Sequence, residues 1–76
     1  MQFVAVQEIT ITGPVKFKGS NRTAWNYDLD GTPFGAVYTF KAKGEVHPFH
    51  AVKANGEYLG HFPNQIEADI AIRSAM

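Results

Sequence analysis

NGEYLGHFPNQIEADIAIRSA, residues 55–75, reads as a turn, a strand and a capped helix in direct succession. Asn55-Gly56 is the strongest short hairpin signal in the chain, because both residue types tolerate positive φ. Glu57 to Phe62 follows as a short strand, and Pro63-Asn64 ends it. Asn64 is placed to cap a helix by accepting from the backbone amide three residues on, with Glu67 at the capping-box position. From Gln65 the run is helical, and Ile66, Ile70, Ala71 and Ala75 are its expected apolar positions. Glu67 and Asp69 in the first turns and Arg73 in the last match the helix dipole. About three turns are too few to stand alone, so this helix must pack on a sheet.

Upstream, the chain alternates. In FVAVQEITITGPVKFKG, residues 3–19, the odd positions from Phe3 to Phe17 are mostly apolar, and the even ones from Glu8 to Lys18, Pro14 apart, are polar. That is the two-residue period of a strand with one dry face. Gly13-Pro14 interrupts it, which predicts a bend or an edge position because proline removes a ladder donor. GSNRT, residues 19–23, is a loop, and AWNYDL, residues 24–29, resumes the alternation with Trp25, Tyr27 and Leu29 on one side. DLDGTPFG, residues 28–35, has the composition of a turn. GAVYTFKAK, residues 35–43, puts Ala36, Tyr38, Phe40 and Ala42 on one side and Val37, Thr39, Lys41 and Lys43 on the other. A turn at Lys43-Gly44-Glu45 leads into VHPFHAVKA, residues 46–54. The predicted class is α+β: an antiparallel sheet of four to five strands with one C-terminal helix packed across one face.

Seventy-six residues make one domain with one thin core, here divided into N-terminal strands at 1–33 and a three-stranded sheet plus helix at 34–76. With no cysteine, neither a disulfide nor a thiolate metal site can staple it. One Trp, three Tyr and six Phe supply large apolar area for packing. Seven basic residues balance seven acidic ones, so no strong long-range field draws the chain toward phosphate or anionic lipid. The balance is local: Lys16, Lys18 and Arg22 outweigh Glu8 early in the chain, and Asp28 and Asp30 cancel them. No stretch approaches the ~20 apolar residues of a membrane helix. Residues 1–15 lack the basic start and apolar run of a signal peptide. Met1 opens the chain, and a complete small cytoplasmic protein is the expectation.

Residues 34–76 resemble the apetala-type (ethylene-response-factor) DNA-binding domain and the related amino-terminal arm-binding domain of phage tyrosine recombinases. The resemblance is carried by Gly35-Ala36-Val37, a hairpin, the aromatic-Leu-Gly-x-Phe run from Tyr58 to Phe62, and a helix with Ala68, Ala71 and Ala75. It implies that the helix covers one face of the sheet and that the other face enters the major groove of duplex DNA. On this chain the implied outer face is Thr39, Lys41, Lys43, Phe49, Ala51, Lys53 and Tyr58. Of these, Lys41, Lys43 and Lys53 would meet phosphates, and Phe49 and Tyr58 would pack on sugar or base. The arginines that would read guanine in the family are missing from the matched strands. The first 33 residues exceed the family pattern; they either extend the sheet edge or cover the DNA-facing side.

Other constellations point to blander chemistry. His47 and His50, three apart on a strand, are expected on opposite faces, with His61 near one of them; partly exposed sheet histidines that gain charge in mild acid are the reading, and no metal is expected. Asp28-x-Asp30-Gly31 lacks the remaining calcium ligands and is a turn. Glu57 and Glu67 are solvated carboxylates, and no phosphate loop, catalytic motif or cofactor site stands out, so a non-enzymatic binding module is expected. The alternative partner to DNA is a host protein. It would be bound by a small accessory or inhibitory protein of phage or mobile-element type through Trp25, Tyr27, Phe49 and Tyr58, or through a bare sheet edge. That edge could equally pair with a second copy to make a homodimer.

Overall fold

The computed structural model describes residues 8–16, 22–40, 44 and 46–76. The expected strand positions 3–7, most of the GSNRT loop, and the candidate contacts Lys41 and Lys43 lie outside the described residues. Five strands follow one another, β1 Ile9–Lys16, β2 Thr23–Leu29, β3 Thr32–Thr39, β4 Phe49–Lys53 and β5 Tyr58–Phe62, and α1 Gln65–Ser74 closes the chain. All pairings are antiparallel, and the strand order in the sheet is the order in the chain. The α+β class and the single C-terminal helix are therefore as the alternation and the cap predict. The described part of the first 33 residues extends the sheet: β1 pairs β2 and β2 pairs β3. Among the described residues no element packs across the face opposite α1.

Local chemistry explains the turns. Leu29 pairs with Thr32, so Asp30-Gly31 is a two-residue hairpin, and both residues have positive φ, 52° and 79°. That conformation suits the right-handed twist of the strands it joins. The expected turn over residues 28–35 is thus tighter than its composition suggests, and Thr32 and Pro33 already belong to β3. The Asp30 carboxylate accepts from the Glu8 amide, and the Asp30 amide donates to the Glu8 carbonyl, which ties the start of β1 to this corner. In the β4–β5 hairpin only Gly56 takes positive φ, and Asn55 instead accepts from the Glu57 amide through its side chain. At the helix start Asn64 is the N-cap and accepts from the Glu67 amide at 2.9 Å, as expected.

The core lies between α1 and one face of β2–β5. Tyr27, Val37, Ala51, Ala68 and Ile72 are buried there, with Trp25, Phe34, Phe49, Leu59 and Phe62 packed around them. Burying side chains as large as Ile72 or Val37 contributes about 1.5–3 kcal/mol each. Small residues set how closely the helix sits. A Cβ at Gly35 would collide with the Val52 carbonyl oxygen and lie 2.9 Å from Ile72 Cδ1.

The helix turns a different stripe inward from the one expected. Ala68 and Ile72 are buried and Ala71 and Ala75 half-buried, whereas Ile66 and Ile70 are 72% and 57% exposed. The Ala68–Ile72 stripe fits over Gly35, Val37 and Ala51, and Ile66 and Ile70 fall on the opposite side of the helix. A polar tether fixes the same orientation: the buried Tyr27 hydroxyl donates to Asp69, and Arg73 Nε meets both Asp69 oxygens at 3.0 and 2.9 Å. Burial first, then the hydrogen bond and charge of Asp69, hold the Tyr27 phenol well above its usual range, and Arg73 acts weakly the other way.

Candidate nucleic-acid interface

Cross-strand partners share a face, so the register sorts every candidate residue. Gly35, Val37 and Thr39 pair with Lys53, Ala51 and Phe49, and this set faces the helix. Ala36 and Tyr38 pair with Val52 and His50, and that set faces away. His50 in turn pairs with His61, and Val52 with Tyr58.

Most of the expected outer face is therefore on the wrong side. Ala51 is fully buried beneath the helix, and Phe49 packs on the core with Trp25, ring centroids 6.2 Å apart. Lys53 is opposite Gly35 on the helix side, where its Nζ meets Glu57 at 3.1 Å and lies 5.7 Å from the Phe34 ring. Trp25 and Tyr27, the candidate protein-binding anchors, belong to the covered side as well; Tyr27 is only 2% exposed. Tyr58 alone among the described candidates is on the open face, with 52% exposure. The physical reason is steric. Both phases of β3 carry apolar residues, but the helix settles on the smaller ones and the tyrosine-bearing phase is left outside.

The open face holds residues that the sequence reading left out of the site. Tyr38 and His50 stack at 5.1 Å with 14° between their planes. Phe40 meets His50 edge-on at 6.3 Å, and Tyr58 and His61 flank it at 6.0 and 6.2 Å. His47 meets His61 edge-on at 5.1 Å. His47 precedes β4 rather than lying in it, so the rule that residues three apart on a strand face opposite sides does not apply, and His61 neighbours both other histidines. On β5 the bulge between Tyr58 and Gly60 sends Leu59 to the core and leaves Tyr58 and His61, three apart, on one face. The Tyr58 hydroxyl and His50 Nδ1 share a 2.7 Å hydrogen bond whose direction follows the imidazole tautomer. His50 Nε2 is buried and makes no hydrogen bond among the described residues. The Arg22 guanidinium lies over the Phe40 ring, 4.5 Å from its centroid.

Charge is distributed along the strands. The end of the sheet bearing this aromatic cluster is where β1 finishes at Lys16 and β2 begins beside Arg22. The connections joining strands at that end carry Lys18, Lys41 and Lys43 in sequence, against Glu45 there and Glu67 in the first turn of α1. The other end carries Glu8, Asp28, Asp30 and Glu57, the last paired with Lys53. Toward it, Thr12, Asn26, Ala36 and Val52 line an open depression of about 510 Å³. Among the described residues no group of three or more His, Asp or Glu side chains is arranged to hold a metal ion, and no helix is long and apolar enough to cross a membrane. No family model, curated protein or solved structure matches the chain.

Proposed function

We propose that this chain is a non-enzymatic module that binds nucleic acid through the open face of its sheet, and that it favours unpaired bases over the duplex groove. The observation that carries the reading is the contiguous surface of Tyr38, Phe40, His50, Tyr58 and His61 at the basic end of the sheet. Planar side chains side by side on a sheet offer stacking platforms to splayed bases, worth about 1–3 kcal/mol per base. Groove reading of a duplex asks for long donors aimed at base edges, and the open-face positions of β3, β4 and β5 carry neither Arg nor Lys. Phosphates would be met by Arg22, joined by Lys41 and Lys43 from the β3–β4 connection. Of the residues first assigned to DNA contact, Tyr58 keeps that role here, while Phe49 and Lys53 serve the helix side.

Fluorescence anisotropy with a labelled oligothymidylate and a mixed-sequence duplex tests this. Tighter binding of the unpaired strand is expected, with log affinity falling against log salt by about 0.7 per neutralised phosphate. Tyr58→Ala and Phe40→Ala should each weaken it by about 1–3 kcal/mol. An absence of salt-sensitive binding to either probe at low ionic strength overturns the reading.

A second reading, docking of a host protein segment, is favoured by the apolar floor of the depression at Ala36 and Val52 and by the zero net charge. Capture of a defined protein, insensitive to salt but lost with Tyr58→Ala, would select it.

A further inference from the structure

We infer that the chain forms a two-fold homodimer by pairing the outer edge of β1 with β1 of a second copy, Ile9 of each opposite Ile11 of the other. The inference stands apart from the nucleic-acid reading. β1 is first in the sheet order, and among the described residues only β2 pairs with it. The Asp30 amide donates to the Glu8 carbonyl, so Glu8 directs its backbone toward β2. Antiparallel ladders alternate, so Thr10 and Thr12, opposite Asp28 and Asn26, do the same. The N–H and C=O groups of Ile9 and Ile11 therefore point outward, a template for another strand. The opposite edge differs: α1 packs on β3, β4 and β5, and among the described residues it does not reach β1. That leaves apolar surface beside the β1 edge. Ile9 and Ile11 are opposite Leu29 and Tyr27, on the helix side of the sheet. Ile9 packs on the margin of the core, whereas Ile11 is 41% exposed.

A second copy fits this edge because the segment complements itself. With Ile9 of one copy opposite Ile11 of the other, each such pair exchanges an N–H and a C=O in both directions. Thr10 then meets its own counterpart at the two-fold axis, in the closer, non-hydrogen-bonded kind of pair, where threonines suit one another. Glu8 falls opposite Thr12, so no like charges are set against each other. Ile11 of each copy gains an apolar neighbour, Ile9 of the other, over the exposed flank. Charge agrees with this arrangement. β1 runs from the acidic end of the sheet, with Glu8, Asp28 and Asp30, to Lys16, so antiparallel copies bring unlike ends side by side. Pro14 has no N–H to offer and lies beyond the paired segment, which keeps that segment short. Directly opposite residues share a face, so both open faces end on the same side, as one continuous surface.

Sedimentation velocity of the full chain, over a concentration series up to about 1 mM, tests the pairing. The wild-type mass should rise from 8.4 kDa toward twice that value. Thr10→Lys and Thr10→Glu each set like charges against one another at the axis, and each alone should weaken the dimer roughly tenfold. Thr10 is exposed, so urea unfolding should show both variants folded as firmly as the wild type. An equimolar mixture of the two should restore the dimer, because lysine then meets glutamate. Amide exchange should slow with rising concentration at Ile9 and Ile11, and stay constant at Thr10 and Thr12, whose amides already face β2. A wild type that keeps the monomer mass throughout, single variants that dimerise as the wild type does, or a mixture that remains monomeric overturns the inference. None of these outcomes bears on oligonucleotide binding, which the anisotropy assay reads separately.

Discussion

The two faces of this sheet are built from the same alternation yet do opposite things. The covered face is close-fitting: Gly35, Val37 and Ala51 receive Ala68 and Ile72, and Trp25, Tyr27, Phe34, Phe49, Leu59 and Phe62 fill in around them. The open face is broad and aromatic, with Tyr38, Phe40, His50, Tyr58 and His61 arranged ring against ring. Small side chains at Gly35, Val37 and Ala51 permit close approach of the helix, and the large rings of the covered face fill the space around that contact. On β3 size, more than apolarity, separates the phase under the helix from the phase left open, whereas on β2 the larger residues, Trp25 and Tyr27, go under it. The rings excluded in this way become available to a ligand.

The difference can be broken from either side. The largest effect should come from the covered face: Gly35→Ala forces a Cβ into the Val52 carbonyl and the Ile72 side chain, and Ile72→Ala opens a cavity worth about 2–5 kcal/mol. Urea unfolding of the two variants should show losses of that order or outright failure to fold. Tyr27→Phe comes next, since it leaves Asp69 with Arg73 but without the phenol; a loss of about 1.5–3 kcal/mol is expected for a bond to a charged partner.

The same phenol gives a pH signature. Its folded pKa lies above that of the unfolded chain, so the folded state holds the proton more tightly. The stabilisation is fully present below about pH 10 and fades as pH rises beyond it. Thermal melts in alkaline buffer should show that decline in the wild type and a shallower one in Tyr27→Phe. On the open face, Tyr58→Ala should leave stability within about 1 kcal/mol while costing binding, because a half-exposed ring contributes little to the core. The smallest effect is expected at Ile70→Ser, on the outer side of the helix, within about 0.5 kcal/mol in the same unfolding assay.

The elements were legible in the sequence because their signals are local. Alternation marks strands, Asn64 and Glu67 mark the helix start, and Gly13-Pro14 marks the irregularity where the register of the edge strand β1 shifts between Thr12 and Val15. The facing of those elements was not legible, because it is a long-range choice. Ala36-Tyr38-Phe40 looks as core-like as Val37-Thr39 until the partner is known, and Ile66 and Ile70 look as core-like as Ala68 and Ile72. The two β-bulges also break the parity rule at Phe34 and Leu59, which is why Tyr58 was placed correctly by a reading that misplaced Phe49 and Lys53. One signal could have found the answer. Gly35, Ala51, Gly60 and Ala68 mark a seam of small residues, and such a seam is where a helix comes down.

Strand order that repeats chain order has a kinetic corollary. Each pairing joins segments separated by a short stretch of chain, and none waits for a distant crossover. Loop closure therefore costs little at every step, and assembly can spread hairpin by hairpin until the terminal helix locks it. A chain wired in this way is expected to reach its native state fast for a sheet protein. Its first hairpin can also fray and re-zip while the helix-bearing remainder stays in place.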